Sequence, residues 1–305
     1  MTPFSVVPQF FLNGCVTSLT YALIALGFTL IYRTVRFFHL AHGAVYTVGA
    51  YVAYSVYTAL QKGGSGEILV HLVVATLVGM GVAGTVGVGI DRLVYFPLRK
   101  NFASDLILLL ASFGVFVFVQ NLIQLIYGAQ ILTMKTWPVR EGRRILGAVV
   151  TDVQLVIIVA SLVLMLLLWF FVQKTKFGKA IRAVSDDPVV ASIVGINPEK
   201  IIAIVFFIGS ALAGLAGILV SLETNIEPAM GFGALFKGII ASIIGGIGSF
   251  PGAVLGGFLL GFAENFGIWK LPAGWKDTIA FVLLILFLLG KPEGILGTQV
   301  KTDED

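Results

Sequence analysis

The chain has 305 residues, 58% hydrophobic and 12% charged, with a net charge of +4 at pH 7. Soluble domains carry about 25% charged residues, so these proportions, with a mean hydropathy of +0.99, exclude a soluble enzyme or binding module and indicate a polytopic membrane protein. The modest charge belongs to loop lysines and arginines, which argues against nucleic-acid binding, and the lone Cys15 excludes an intrachain disulfide.

The first apolar run, 10–32, has no basic residue ahead of it and no small-residue cleavage site behind its centre. It is read as a retained span, not a signal peptide. Arg33 and Arg36 follow. The second span, 39–60, opens on His39 and His42 and ends in a polar, glycine-rich tip, 61–67. The third, 68–90, leads to Arg92, Arg99 and Lys100. The fourth is 106–127, followed by a polar connection, 128–152. The fifth is 153–173, the sixth 201–223, and the last about 275–290. No stretch reads as a separate soluble domain, so residues 1–305 form one membrane domain.

Lysine and arginine bias sets orientation. Lys174, Lys176, Lys179 and Arg182 crowd the end of the fifth span and place it in the cytoplasm. Counting back, Arg92, Arg99 and Lys100 fall inside, as do Arg33 and Arg36, and the uncharged N-terminus falls outside. The connection 128–152 then lies outside despite Lys135, Arg140, Arg143 and Arg144. Longer loops translocate with less regard to charge. Lys270 and Lys276 against Lys291 and Lys301 leave the side of the tail open. Trp169, Trp269 and Trp275 lie near span ends, as interfacial anchors do. Small residues four apart, such as Ala83 and Gly87, Ser210 and Gly214, Ala213 and Gly217, Gly252 and Gly256, and Gly257 and Gly261, predict close helix contacts.

The segment 174–200 predicts two short helical pieces. Asp187-Pro188 reads as an N-cap with proline at the first helical position, and Gly195 as a C-terminal stop. Asn197-Pro198 repeats the device and starts the sixth span. Between them Val189, Val190, Ile193 and Val194 need a partner: lipid headgroups, the chain's own spans, or a docked soluble subunit.

The stretch 238–267, GIIASIIGGIGSFPGAVLGGFLLGFAENFG, is apolar enough for a bilayer yet broken. Gly245, Gly246 and Gly248 weaken the helix, and Pro251 lacks an N–H and clashes with the preceding turn. Residues 238–247 would reach about 15 Å, roughly half the hydrocarbon core. The break is therefore expected within the membrane, facing protein or a water-filled cavity.

No Walker phosphate loop and no catalytic set of serine, histidine and acid is present, so no enzyme, cofactor or metal is expected. His39 and His42 could share a helix face, but without a carboxylate or cysteine nearby they read as a polar helix start. Ionisable residues within spans are functional suspects. Glu223 and Glu264 qualify, although each sits near a predicted span end. The candidates for lining a path are Asn13, His42, Gln120, Asn121 and Glu264, with Gly245, Gly246, Gly248 and Pro251 of the break.

Several motifs together resemble the permease subunit of branched-chain amino-acid ABC importers of the LivH type. They are Asn13-Gly14, TYALIALG at 20–27, HLAHG at 39–43, YFPLR at 95–99, Gln120-Asn121, ASIVGIN at 191–197, GGIGSFPGA at 245–253 and PEGILG at 292–297. The GGIGSFPGA run is the most specific. The family often has glutamate after Ala-His-Gly, where this chain has Ala44.

The resemblance implies a bacterial inner-membrane permease for branched-chain or other neutral amino acids. Its partners would be a second, homologous permease, two cytoplasmic ATPases and a periplasmic or extracellular substrate-binding protein. Residues 183–197 would be the coupling segment, with Arg182, Asp186, Asp187, Val190, Ala191, Ile193 and Gly195 at the ATPase contact. The expected fold is all-α, with about seven full transmembrane helices plus a broken or re-entrant hairpin at 238–268, about eight to nine membrane helices in all. A urea permease of the same family and an ion-coupled secondary transporter are the alternatives. Scarce mid-span carboxylates argue against the second.

Overall fold

A computed structural model describes residues 6–63, 67–134, 142–145 and 147–297. Lys135, Arg140 and Lys301 lie outside the described residues. Among the described residues twelve α-helices carry the fold: α1 Val7–Val35, α2 His42–Lys62, α3 Ile68–Ile90, α4 Phe96–Lys100, α5 Asp105–Tyr127, α6 Asp152–Lys174, α7 Lys176–Asp186, α8 Pro188–Ile193, α9 Pro198–Glu223, α10 Met230–Gly245, α11 Phe250–Gly267 and α12 Lys276–Gly290. Strands β1 Arg143–Ile145 and β2 Ala148–Val150 form a small antiparallel hairpin. The all-α membrane class expected from the sequence is thus observed. Among the described residues six helices are long and apolar enough to cross a membrane, or seven with the bent pair α10–α11 taken as one span. That is fewer than the eight to nine expected. Helix α2 falls short because Tyr46, Tyr51, Tyr54 and Tyr57 dilute its hydropathy.

Helices α1 and α9 form the core: 83% and 78% of their most apolar stretches are buried, against 6% for α12. Close approach explains the arrangement, since lipid offers no hydrophobic drive for helices to associate and packing must supply it. The small-residue pairs read from the sequence face one another. Ala83 meets Gly214 and Gly87 meets Ser210 between α3 and α9, while Gly49 and Tyr46 of α2 meet Gly214 and Gly217. Antiparallel α1 and α11 interlock through Gly14 and Phe262, Ser18 and Gly261, and Ala22 and Gly257. Helices α3, α5, α6 and α12 ring this core, exposing Leu77, Phe118, Leu166 and Leu289. Trp169, Trp269 and Trp275 are also exposed, as interfacial anchors require.

One end of the bundle is basic. Arg33 lies over the Phe250 ring, 5.9 Å from its centroid, and Arg36 donates to the carbonyls of Ser185 and Asp186 at 3.1 and 3.2 Å. Arg92 donates to the Glu199 carbonyl at 3.0 Å. The basic clusters assigned to one side therefore do share a side. At the other end, Gln9 at the start of α1 clasps the β-hairpin: its Oε1 accepts from the Val149 N–H at 2.8 Å and its Nε2 donates to the Val149 carbonyl at 3.2 Å. Leu132 and Ile226 also exchange backbone bonds there, at 2.8 and 2.9 Å. The described parts of the connection, 128–134 and 147–152, thus dock opposite the basic end.

Two expectations change. The break in the glycine-rich stretch is real, but it lies at the basic end beside Arg33, not at mid-depth. Helix α10 starts at Met230, eight residues ahead of the stretch 238–267 read from the sequence, because Lys237 is neutralised by Glu264 and Asp277 and does not interrupt the helix. The chain then turns through 116° into α11. Gly246 (φ 105°) and Gly248 (φ 86°) adopt backbone conformations that disfavour other residues. Ser249 caps α11, accepting from the Gly252 N–H at 3.2 Å, with Pro251 in its first turn.

The tail settles on the same turn. The N–H groups of Ile295 and Leu296 donate to the carbonyls of Ile244 and Gly245, both at 2.9 Å. They satisfy two of the carbonyls that a helix C-terminus leaves unpaired. The PEGILG and GGIGSFPGA motifs are thus one structural unit. Residues 292–297 lie at the basic end, the side left open by the lysine count.

Candidate functional site: an outer cavity and a basic-end docking face

A cavity of about 470 Å³ opens at the end opposite the basic face. Its rim holds the exposed Thr224, Asn225 and Glu227, between α9 and α10. Its walls are Ile24, Tyr46, Val220, Met230 and Ala234, and its polar depth is Thr20, Tyr21 and Lys237. Toward the basic end α1 and α10 close on each other. Phe28, Leu235 and Ile239 pack together, and the Thr29 and Ser242 hydroxyls hydrogen-bond at 2.8 Å. The described chain is therefore open at the end opposite the basic face and sealed toward the basic end along this route.

Behind the wall of the cavity four helices meet. Lys237 of α10 pairs with Glu264 of α11 and, at 2.9 Å, with Asp277 of α12. Tyr21 of α1 donates to the second Glu264 oxygen at 2.7 Å. Glu264 is fully buried, not at the interface as its place in the sequence suggested. Burial of an isolated ion in an apolar medium is costly, so this pairing is what permits the two charges inside the bundle.

A second polar chain links α2 to the basic end. The chain folds back after α1, so that His42 reaches the Ile24 carbonyl at 3.3 Å, near the middle of α1. The second span thus begins well inside the bundle, not at the inner face. His39 Nδ1 lies 2.9 Å from the Tyr95 hydroxyl, and Ser112 Oγ accepts from Tyr95 Oη and from the Ala41 N–H, both at 3.0 Å. A π-helical turn, Asp91–Tyr95, directs both Asp91 and Tyr95 inward. Arg99 bridges buried Asp91 at 2.8 Å and Glu199 of α9 at 3.4 Å.

At the basic end the capping expected from the sequence is present. Asp187 accepts from the Val189 and Val190 N–H groups at 2.7 and 3.0 Å, and Asn197 accepts from the Lys200 N–H at 3.1 Å. Gly195 has φ 87°. Ile181 and Val184 of α7 and Ala191 of α8 are buried, anchoring both helices. Arg182 donates to the Val172 carbonyl, and the Asp186 carboxylate sits 4.0 Å from Arg33. Val189, Val190, Ile193 and Val194 point away from the bundle, 68%, 55%, 78% and 69% exposed. Behind them lies a hollow of about 700 Å³, lined by Val184, Asp186 and Pro188 together with Arg36, Arg99 and Glu199.

The model of the family described as "Branched-chain amino acid transport system / permease component" matches residues 10–288. The chain belongs to that family. It is 38% identical over 294 residues to the high-affinity branched-chain amino acid transport system permease protein LivH of Escherichia coli strain K12, covering 93% of this chain and 94% of the relative. It is 37% identical over 296 residues to the corresponding protein BraD of Pseudomonas aeruginosa, with 95% of each covered. A probable LivH permease of Methanocaldococcus jannaschii is 29% identical over 289 residues, covering 92% and 89%. The resemblance read from the motifs is borne out over nearly the whole chain.

In this permease the residues singled out as lining a path do not meet in one place. None of them borders the outer cavity. Gln120 and Asn121 lie on α5 at the periphery, and Asn121 returns its amide to the Val117 carbonyl at 2.8 Å. Asn13 accepts from Gln9 at 3.2 Å. Gly245, Gly246, Gly248 and Pro251 form the turn at the basic end. Glu264 stands behind the wall, reached through Lys237 and Tyr21. Lys237 itself was missed, although a lysine embedded in the apolar run 230–245 is the signal that could have found it.

The Asp91–Arg99 pair gives a stability test. Arg99→Ala strands a fully buried carboxylate and is expected to cost about 3–5 kcal/mol. Thermal unfolding in detergent measures it, with Arg92→Ala, which removes a bond to a carbonyl and a contact with the Phe96 ring but strands no carboxylate, as the smaller reference.

Proposed function

We propose that this chain is the permease subunit of a bacterial inner-membrane ABC importer for branched-chain or other neutral amino acids. It is no enzyme: ATP is hydrolysed by two cytoplasmic ATPase subunits, one of which docks on the face of α8. A second, homologous permease completes the membrane unit, and a substrate-binding protein delivers the amino acid to the outer cavity. The observation that carries the reading is the apolar face of α8. It is held rigid by the Asp187 cap and the buried Ala191, yet it turns four branched aliphatic side chains away from the fold. Segment 174–200 then transmits closure of the ATPases to α9 and, through Arg36, to the end of α1.

The outer cavity suits such a solute: apolar walls, one cation and hydroxyl groups in its depth, and a carboxylate on its rim. The expected result with the purified permease in liposomes, lacking ATPase partners, is no uphill uptake of leucine. Accumulation driven by an ion gradient in that preparation would identify a secondary transporter and overturn the reading.

A further inference from the structure

We infer that Lys237 is the specificity-determining residue of the outer cavity, receiving the carboxylate of a zwitterionic, aliphatic amino acid by exchange with Asp277. The inference rests on the importer reading above. An ammonium group has three donors. Two of those on Lys237 are taken, by Glu264 and by Asp277 at 2.9 Å. The two partners are not equivalent. Glu264 is fully buried and tied by its other oxygen to Tyr21 at 2.7 Å, so releasing it would leave an unpaired charge inside the bundle. The Asp277 side chain, in the first turn of α12, is 79% exposed, so its release leaves no buried unpaired charge.

An incoming carboxylate therefore displaces Asp277 and leaves the Lys237–Glu264–Tyr21 core intact. Lys237 and Tyr21 border the cavity, so the exchange takes place on its wall. The same cavity offers Ile24, Val220 and Met230 to an aliphatic side chain and Glu227, on the rim, to an ammonium group. A buried pair with a purely structural role has no need to border a cavity of solute size.

The test uses the assembled importer in detergent, with the binding protein omitted, and equilibrium binding of labelled leucine. On the unmutated complex, unlabelled leucine should displace the label and leucinamide, which lacks the carboxylate, should not. Equal displacement by the two, or no binding of leucine, overturns the inference. The double variant K237M/E264Q removes both charges together, so no unpaired ion remains in the bundle. It should assemble with its partners at wild-type yield and bind leucine at least about tenfold more weakly, the loss expected for a charged hydrogen bond. Wild-type binding by that variant overturns the inference. The importer reading is judged separately, by ATP-driven leucine uptake in the complete wild-type system with its binding protein. Its failure there would be distinct from a failure of Lys237 to bind.

Discussion

Placing aspartate at both Val190 and Ile193 is expected to abolish ATP-driven uptake while leaving the permease inserted and folded. Both side chains are more than half exposed, at 55% and 78%, so the fold loses little by the change. Surface substitutions of this kind usually stay within about 0.5 kcal/mol. What sets α8 lies elsewhere: the Asp187 cap, the buried Ala191, and the Ile196 N–H donating to the Ala191 carbonyl at 3.0 Å. None of these is touched. A docked ATPase, in contrast, would have to bury two carboxylates without partners, a cost of several kcal/mol that exceeds what a small contact can supply. Membrane abundance and uptake are measured on the same cells. Normal abundance with lost uptake is the expected pair, and unchanged uptake would remove α8 from the path of energy transmission.

Local signals in the chain were read well because their physics is local. Asp187-Pro188 and Asn197-Pro198 fix helix starts through bonds to backbone groups two or three residues away. No distant partner is needed. The small-residue pairs were legible for a related reason, since four-residue spacing puts both members on one helix face, and only their mates remained unknown. Long-range pairing was not legible. Lys237 falls just outside the stretch 238–267 read from the sequence, because its neutralising partners lie 27 residues on, at Glu264, and on another helix, at Asp277. Once paired, it sits inside α10, and the start of that helix moves to Met230.

The depth of α2 was hidden similarly. His42 is placed by the Ile24 carbonyl, a contact created only when the chain folds back after Val35. The outer cavity draws on α1, α2, α9 and α10 together, so no window of sequence contains it. Asn121, picked out individually, instead bonds within its own peripheral helix, to the Val117 carbonyl.

The α1–α11 seam carries the second large effect. Gly257→Val is expected to prevent formation of the folded permease. A Cβ at this position would stand 2.7 Å from the Ala22 amide nitrogen and 2.8 Å from its Cα. These are backbone atoms of the most buried helix, so no rotamer change relieves the clash. Overpacking a core typically costs about 1–3 kcal/mol when side chains can shift. Here a helix must move, and the cost is expected to lie above that range. Movement would propagate, because Ser18 against Gly261 and Gly14 against Phe262 lie on the same seam. It would also draw Tyr21 away from Glu264 and so unsettle the pair that supports Lys237.

Gly114 supplies the contrast. It lies on α5 with no atom within 4 Å of an added Cβ. Gly114→Ala should be neutral or stabilising by up to about 1 kcal/mol, through the loss of backbone freedom in the unfolded chain. Size-exclusion profile and thermal unfolding in detergent compare the two variants directly. If Gly257→Val ran and melted like Gly114→Ala, close approach of α1 and α11 would not be what fixes the hairpin. The cavity wall would then need another support.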